Sequence, residues 1–565
     1  MGQEKSRHVY SNASHEDELP VEGRILNENT FEEIALGKED EKKEGSDSVR
    51  SREHVPLLDL RFSSKRSSRS SGSSTTSDDS FRDDAFRSVL EPLYEKTVGY
   101  YRERSEKGDA FGEYYVALAY ENGFGGYPKD LKEARDWYLK SSEKAFILAE
   151  HAYQRLSTGG EEAGQKTVGV AARVGLLLRA AMQGHKQAVV RLRLLCDKDK
   201  DVVTFLKTKR SQLERKVAMG TDDNSFSDSL VTLAFLTVFL ETSKDSYDDV
   251  IELFKKSADS GNNDASYALG KLYRYGAGKA LAPNQPLAIK YLTEAADHGQ
   301  LMAQIELGKC FLAKSEGHVG NEKFEAKAYR YFKQAADNGS AEGWLNIAHQ
   351  YLYGEVIEND VSQAVECLER AAVTVDYTDS GRTNSRALCV LGRIYRYGIS
   401  EISTDFEKAT GYFTNSAHKK FPNACLELGK MYARGKGVEQ DVSRGKALLE
   451  SVHTFSESQY QLGRLYDVLK DEETAEQYYR QAMKGYSRDV AKHHDYTIGL
   501  YRIAKMHEYG RGTPMDPMKA KAFYYRATTS AEKTYILWWK GCGEKALRRL
   551  TNLKVPETNG TSENA

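Results

Sequence analysis

Apolar and small residues recur along the chain with the spacing of an α-helix. In each recurrence a glycine or alanine occupies a fixed position, a large apolar residue usually precedes it, and an aromatic residue usually follows three positions later. At about 100° per residue these positions share one side of a helix, so each recurrence predicts a helix, the first helix of a repeat. The small residue stands at Ala117, Gly270, Gly308, Ala348, Gly392, Gly429, Gly463 and Ala504.

A second helical pattern follows in each repeat and places paired aromatic residues before paired small ones. An example is Tyr331-Phe332 before Ala335-Ala336. Glycines between the two patterns, such as Gly435, suit a left-handed residue at the end of the first helix. We expect the alanines of the second helix to pack against the first helix of the next repeat.

The spacing of the repeats, about 38 residues, decides the fold class. Weaker copies fit at Glu150, Arg193 and Ala234, which brings the number of copies to about eleven. Helix pairs at this period stack into a solenoid, because each pair can bury its apolar side only against its neighbours. We therefore predict an all-α, right-handed superhelical solenoid of about eleven helix-turn-helix repeats.

Composition changes at both ends of the chain. Residues 46–80 are dominated by serine interleaved with charged residues, and such a segment buries too little apolar surface to offset its ordering entropy. The residues after Leu553 have a similar character. We expect a disordered, Ser-rich regulatory tail at 1–82, the solenoid at 83–552 and a second disordered tail at 553–565.

The repeat resembles the Sel-one-like repeat, a relative of the tetratricopeptide repeat. The segments ACLELGKMYARGKGVEQDVSRGKALL (424–449) and ASYALGKLYRYGAG (265–278) carry its spaced Ala, Leu-Gly, Tyr and Gly-x-Gly positions. The resemblance covers about residues 110–530. It implies a scaffold or adaptor that holds a protein or peptide partner on the concave side of the solenoid.

One stretch is similar to a narrower family, the fungal chitin-synthase activators. Residues 367–432 share with its repeat region a long insert before the first helix and an Ile-x-x-x-Asp loop. That resemblance implies a chitin synthase as the partner and a role at the cell cortex in cell-wall biogenesis. Members of that family often end in a prenylated cysteine box, whereas this sequence ends in Ser562-Glu563-Asn564-Ala565. An adaptor in ER-associated protein degradation, or another signalling scaffold, is the alternative.

Charge and missing motifs argue against several other classes of protein. The chain has 81 Lys and Arg against 83 Asp and Glu, which does not favour nucleic-acid binding. The six cysteines form no CxxC, so we expect no metal site and a reducing compartment. No P-loop, HExxH, GxSxG or kinase signature occurs, which predicts no enzyme and no cofactor. Without a long apolar run or a secretory signal, a cytoplasmic protein is expected.

The exposed side of the predicted first helices carries the candidate partner-binding residues. In the last seven repeats the residue after the small one is cationic or titratable, and in four of them the residue four positions further on is a tyrosine. Such neighbours would suit an acidic or aromatic peptide, while cations that merely favour the helix dipole on a solvated face are the alternative. The pairs are Lys271 with Tyr275, His349 with Tyr353, Arg393 with Tyr397, and Lys505 with Tyr509.

The N-terminal residues fit a lipidation signal. Met-Gly-Gln-Glu-Lys-Ser matches the myristoylation pattern, which makes Gly2 the acceptor. One myristoyl chain binds membranes only marginally, so the basic residues 61–69 would be needed as a second contact. Phosphorylation of Ser64, Ser68 or Ser71 would weaken that contact. We expect peripheral contact with the cytoplasmic face of a membrane, with a solvated tail as the alternative.

Overall fold

The structure is a computed structural model, and the part of the chain that it describes is almost entirely helical. The tails predicted at 1–82 and 553–565 lie outside the described residues. The described residues are 90–144, 149, 152–153, 156, 170–183, 186–219, 225–240, 247–276, 281–316, 322–353, 360–374, 382–492, 496–532 and 537–552.

Within the described residues, eight helices precede residue 262. Two of the predicted repeats fall among them, as the pairs α2–α3 and α7–α8. The helices are α1 (Glu91–Glu106), α2 (Ala110–Asn122), α3 (Leu131–Ser142), α4 (Val170–Met182), α5 (Lys186–Lys198), α6 (Lys200–Met219), α7 (Phe226–Leu240) and α8 (Tyr247–Asp259).

From residue 263 onward, first and second helices alternate through seven described repeats, and a final helix, α23 (Leu537–Asn552), packs on the last pair. The predicted all-α solenoid is thereby confirmed. The first helices are α9 (Asn263–Tyr275), α11 (Leu301–Glu316), α13 (Ala341–Tyr353), α15 (Arg382–Tyr397), α17 (Pro422–Arg434), α19 (Ser456–Val468) and α21 (Thr497–Tyr509). The second helices are α10 (Gln285–Asp297), α12 (Glu322–Asp337), α14 (Val361–Val373), α16 (Phe406–His418), α18 (Val442–Glu450), α20 (Glu472–Lys492) and α22 (Pro517–Glu532).

Local sequence sets where these helices begin and end. The second helix usually follows an aspartate whose carboxylate accepts a backbone N–H three residues on, as Asp405 does from Lys408 at 2.9 Å. First helices α17 and α21 end at Gly435 and Gly510, both in the left-handed conformation. The motif positions between the helices are therefore caps, as the sequence predicts.

The two helices of a repeat meet at the small residue of the first helix. A Cβ added to Gly308 would lie 2.6 Å from the Phe332 ring, and one added to Gly392 would lie 2.7 Å from the Phe413 ring. The next repeat is just as tightly joined, because a Cβ on Gly343 would lie 2.6 Å from the backbone nitrogen of Ala336. Small residues thus set the packing distance both within and between repeats.

The register of the weaker repeat copies is only partly as predicted. Ala234 is fully buried in α7, which packs against α8 as a helix pair. The copy at Arg193 is wrong: Arg193 is exposed and its guanidinium lies 5.7 Å from the Phe239 ring centroid, while the preceding Leu192 is fully buried. A guanidinium is too large and too polar for the close contact between two helices, so the apolar Leu192 faces inward instead. Glu150 lies outside the described residues.

The first two helices pack on the middle of the solenoid, a contact that the repeat pattern does not predict. The Tyr115 hydroxyl on α2 donates to the carbonyl of Val373, 258 residues away, at 2.8 Å, and both residues are buried. On α1, Lys96 Nζ lies 3.1 Å from Glu369 Oε2 and the Arg370 guanidinium lies 4.1 Å from the Tyr100 ring centroid. In an ideal solenoid each repeat contacts only its neighbours, so this contact ties two distant parts of the chain together.

Because the helices approach so closely at the small residues, a bulky side chain there should greatly lower the free energy of unfolding. In Gly463→Leu the new Cβ would lie 2.9 Å from the Tyr479 ring, and overpacking of this kind costs about 1–3 kcal/mol or more. Thermal unfolding measures the effect. Gly99→Leu is the control, because a Cβ at this exposed helical position meets nothing within 4 Å. Equal melting temperatures for both variants would refute the assigned register.

The long-range contact of α2 predicts a second effect on stability. Tyr115→Phe leaves the buried carbonyl of Val373 without its donor, at a cost of about 1–3 kcal/mol. Hydrogen exchange in α14 should become faster, because the contact holds that helix. Tyr525→Phe, at an exposed tyrosine on α22, should leave the exchange unchanged. If hydrogen exchange in α14 is the same in Tyr115→Phe as in the parent protein, the contact does not stabilise α14.

Candidate protein-binding face

The first helices form the concave layer of the solenoid. First helices of adjacent repeats, such as α9 with α11, α13 with α15 and α17 with α19, contact each other more extensively than adjacent second helices do. In a curved stack the layer whose elements lie closer together is the inner one. The side of each first helix that points away from its own second helix therefore faces the concave surface.

Three of the four predicted tyrosines are exposed on this surface. Tyr275 is 59% exposed, Tyr397 is 51% exposed and Tyr509 is 49% exposed. Each is the last residue of its first helix. The fourth, Tyr353, also ends its helix, α13, but its side chain lies outside the described residues.

The cations predicted to accompany these tyrosines are only partly where the sequence predicts them. Lys505 Nζ lies 5.6 Å from the Tyr509 ring centroid, as expected for neighbours one turn apart. Lys271 Nζ instead lies 5.5 Å from the ring of Tyr267, on the opposite side in sequence from Tyr275. His349 is half-buried on α13.

The prediction that Arg393 is exposed is wrong. Only 7% of its surface is accessible, and its charge acts on the carboxylate of Glu427 in the next repeat. The adjacent first helix covers this part of α15, so the Arg393 side chain is drawn into the contact between the two repeats.

The cation beside each exposed tyrosine in α9 and α15 is the arginine immediately before it. The Arg274 guanidinium lies 5.0 Å from the Tyr275 ring centroid, and that of Arg396 lies 5.3 Å from the Tyr397 ring centroid. These arginines also reach a glutamate of the next repeat: Arg274 bonds Glu306, and Arg396 bonds Glu427.

The same two glutamates hold the tyrosine hydroxyls. Tyr275 donates to Glu306 Oε2 at 2.8 Å, and Tyr397 donates to Glu427 Oε2 at 3.4 Å. A signal for this arrangement was present in the sequence: Tyr-Arg-Tyr-Gly occurs at 273–276 and 395–398, and a glutamate stands two residues before the small residue of each following repeat.

A third buried glutamate joins the repeats further along. Arg502 forms a bidentate salt bridge with Glu457, with N–O distances of 2.9 and 2.7 Å. Glu457 also accepts a hydrogen bond from the Tyr486 hydroxyl at 2.5 Å. Lys430 Nζ of the preceding first helix lies 3.5 Å from Glu457 Oε1. This carboxylate therefore links α17, α19, α20 and α21.

The buried carboxylates remain ionised because of the surrounding cations. Burial by itself would raise the pKa of Glu427, but Lys430, Arg396 and Arg393 lower it to about 2. Burial opposes ionisation of Glu457 too, and Arg502 with Lys430 holds the pKa of that carboxyl far below its usual range. Removing one partner of such a pair leaves a buried, uncompensated charge, which is strongly destabilising.

Several predicted features lie outside the described residues, including Gly2 and the serines Ser64, Ser68 and Ser71, whose roles stay predictions. In the part of the chain that the structure describes, no group of three or more His, Cys, Asp or Glu side chains is arranged to hold a metal ion. No helix within the described ranges combines the length and apolarity required to cross a membrane.

The fold defines the chain as an α-solenoid of helix-pair repeats, and comparison with known families agrees. The Sel1 repeat family matches eight segments, and the chain belongs to the Sel1-repeat proteins, as the resemblance in its sequence implies. The matched segments are residues 110–146, 263–300, 301–340, 345–372, 385–420, 422–451, 456–484 and 497–530.

Individual relatives are distant. The chain is 29% identical to an uncharacterized protein of Neisseria meningitidis serogroup B over 31% of this chain and 33% of that protein. It is 24% identical to the chitin synthase regulator SKT5 of Saccharomyces cerevisiae over 54% of this chain and 44% of that protein. The chain thus spans less than half the length of these relatives. A solved structure, the protective antigen c5321 of uropathogenic Escherichia coli, is 18% identical over 83% of this chain and 99% of that chain, with a TM-score of 0.40.

The buried ion pairs between repeats predict a pH-dependent stability. Because the pKa of Glu427 in the folded chain is about 2, below the ordinary value of 4.5, its contribution is complete above about pH 4.5 and is lost as the pH falls towards 2. Glu427→Gln should lower the free energy of unfolding by about 3 kcal/mol at pH 7 and by progressively less below pH 4.5.

Urea-induced unfolding at pH 7, 5, 4 and 3 measures this difference. Glu439→Gln, at an exposed glutamate in the loop before α18, is the matched control and should have no effect at any of these pH values. A constant difference between Glu427→Gln and the parent protein from pH 7 to pH 3 would contradict the assignment.

Proposed function

We propose that this protein is a non-catalytic scaffold that holds a protein partner on the concave face formed by its first helices. The observation that carries the proposal is the set of exposed tyrosines, Tyr275, Tyr397 and Tyr509, at corresponding positions on that face. Tyrosine offers a large contact area at a low cost in conformational entropy and is frequent among residues that dominate binding energy.

The hydrogen bonds of these tyrosines support a binding role. Tyr275 and Tyr397 are oriented by a glutamate of the following repeat, and the Tyr509 hydroxyl accepts from Arg549 at 2.5 Å. A side chain that is already oriented loses less entropy when it binds a partner. The same contacts join adjacent repeats, so the spacing of the tyrosines follows from the packing of the solenoid.

We further propose that the partner is a chitin synthase and that the protein acts as its regulator at the cell cortex. The similarity to the chitin synthase regulator SKT5 over 54% of this chain supports the proposal. The resemblance of residues 367–432 to the repeat region of chitin-synthase activators points the same way, and this stretch includes Tyr397. A lipid on Gly2 would assist by holding the protein at the membrane where a synthase resides.

Capture of a purified, detergent-solubilised chitin synthase tests the proposal. Tyr275→Ala combined with Tyr397→Ala should reduce capture by the full chain at least tenfold, because binding residues of this kind typically contribute about 2 kcal/mol or more each. Tyr525→Ala, at an exposed tyrosine on second helix α22, should leave capture unchanged. Thermal unfolding of each variant verifies that the solenoid remains folded.

Two results would contradict the proposal in different ways. If the parent protein does not capture a chitin synthase, the regulatory role is wrong. If the parent protein and the double variant capture it equally well, the partner does not bind through the tyrosines of the concave face.

A further inference from the structure

The C-terminal part of the concave face carries three cations on successive first helices. We call them the basic strip: Arg434 on α17, Arg464 on α19 and Lys505 on α21. Within the described ranges, none of the three has a carboxylate oxygen within 4.0 Å. Arg434 bonds the neutral amide oxygen of Gln461 at 2.7 Å, and Lys505 lies over the ring of Tyr509.

Neighbouring cations on the same face are paired, which sets the basic strip apart. Lys430 lies 3.0 Å from Glu427, Arg502 lies 2.7 Å from Glu457, and Arg549 lies 3.0 Å from Glu508. The available carboxylates are thus already engaged by cations outside the strip.

The sequence of the repeats explains this excess of positive charge. Two residues before the small residue, α11 has Glu306 and α17 has Glu427, and each binds the end of the preceding first helix. At the same position α19 has Gln461 and α21 has Arg502. The carboxylate that would neutralise the strip is therefore replaced by an amide in one repeat and by a cation in the next.

The electrostatics of the basic strip show that its charges repel one another. Desolvation, followed by the charges of Arg464, Arg396 and Arg502, lowers the pKa of Arg434. Desolvation, followed by Arg502, Arg464 and Arg549, lowers the pKa of Lys505 to about 8. An anion bound at the strip would relieve this repulsion and favour the protonated lysine.

Exposed apolar side chains stand one helical turn after two of the cations. Val468 follows Arg464 on α19, and Tyr509 follows Lys505 on α21; both are exposed. Adjacent helices are typically 8–10 Å apart, so the three cations span roughly 20 Å. A peptide in the polyproline II conformation advances about 3.1 Å per residue with three residues per turn, so every third side chain lies on the same side, about 9 Å from the last, and could meet one cation each.

We propose that the basic strip binds an acidic segment of the protein partner, with carboxylates opposite Arg434, Arg464 and Lys505 and apolar side chains on Val468 and Tyr509. The inference rests on the proposed function, because it names the chemistry of the partner held on the concave face. A nucleic acid fits less well, because a phosphate backbone carries a charge at every nucleotide and is typically held by about 6–10 cationic contacts, whereas the strip supplies three cations.

The test uses the full chain and a fluorescein-labelled nine-residue peptide with glutamate at positions 2, 5 and 8 and apolar residues between them. The matched peptide has glutamine at the same three positions. Fluorescence anisotropy should show at least tenfold tighter binding of the glutamate peptide, with an affinity that falls as salt is raised. Equal binding of the two peptides would overturn the proposal.

Charge-reversal variants locate the binding. Arg464→Glu with Lys505→Glu should weaken binding of the glutamate peptide at least tenfold. Arg480→Glu with Lys521→Glu makes the same change of net charge on second helices α20 and α22 and should leave the affinity unchanged. If both double variants bind alike, or if single-stranded RNA displaces the peptide at lower concentration than the unlabelled peptide does, the assignment is wrong.

A pH series gives a readout specific to Lys505. The groups that act on its ammonium are Arg502 and Glu508 on α21, Arg464 on α19 and Arg549 on α23. Because its pKa is about 8, raising the pH from 7 to 9 removes the positive charge and should weaken peptide binding. Lys505→Arg should abolish this pH dependence, and an identical pH profile for both proteins would exclude Lys505 from the site.

The two proposals can fail separately. Peptide binding at the strip without capture of a chitin synthase would retain the acidic-segment site and reject the regulatory role. Capture of the synthase by Arg464→Glu with Lys505→Glu at the parent yield would reject the strip and retain the scaffold. A cross-link from the strip to residues 1–89 of the same chain would overturn the assignment to a partner, because the chain's own segment would then occupy the strip.

Discussion

The close approach of two helices at one small residue per repeat is the constraint on which the rest of this structure depends. Where Gly308 meets the ring of Phe332, or Gly392 that of Phe413, there is no space even for a Cβ. This contact turns one side of the first helix towards its own second helix and leaves the opposite side for the concave surface. The position of the exposed tyrosines therefore follows from the packing of glycines on the other side of the helix.

The paired charged side chains of the concave face join adjacent repeats to each other. Two ion pairs occupy the same positions in different repeats: Arg274 with Glu306, and Arg396 with Glu427. The carboxylate of each pair also accepts a hydrogen bond from the neighbouring tyrosine, Tyr275 or Tyr397. Buried pairs of this kind stabilise little relative to apolar packing, but they fix geometry, because a misaligned pair leaves a charge unpaired. Where the glutamate is replaced, as at Gln461, the face becomes positively charged.

The contact between α1–α2 and α14 changes how stability is distributed along the chain. In a solenoid with nearest-neighbour contacts alone, the free energy of unfolding is a sum over repeats and their interfaces. Here Tyr115 and Val373 join segments 258 residues apart, so the two ends of the intervening segment cannot separate without breaking a buried hydrogen bond. This contact adds a long-range term to a stability that otherwise depends on nearest neighbours.

The sequence by itself determined the helix pairs, their register from Gly270 to Ala504 and the exposure of Tyr275, Tyr397 and Tyr509, because small residues and helical periodicity are local signals. It was misleading at Arg193, where the first-helix pattern is degenerate, and at Arg393, where the adjacent repeat buries the side chain. Only the tertiary structure decided which cation pairs with which carboxylate and that α2 meets α14. Those contacts join residues about 30 or more than 250 positions apart, and periodicity within a single repeat carries no information about them.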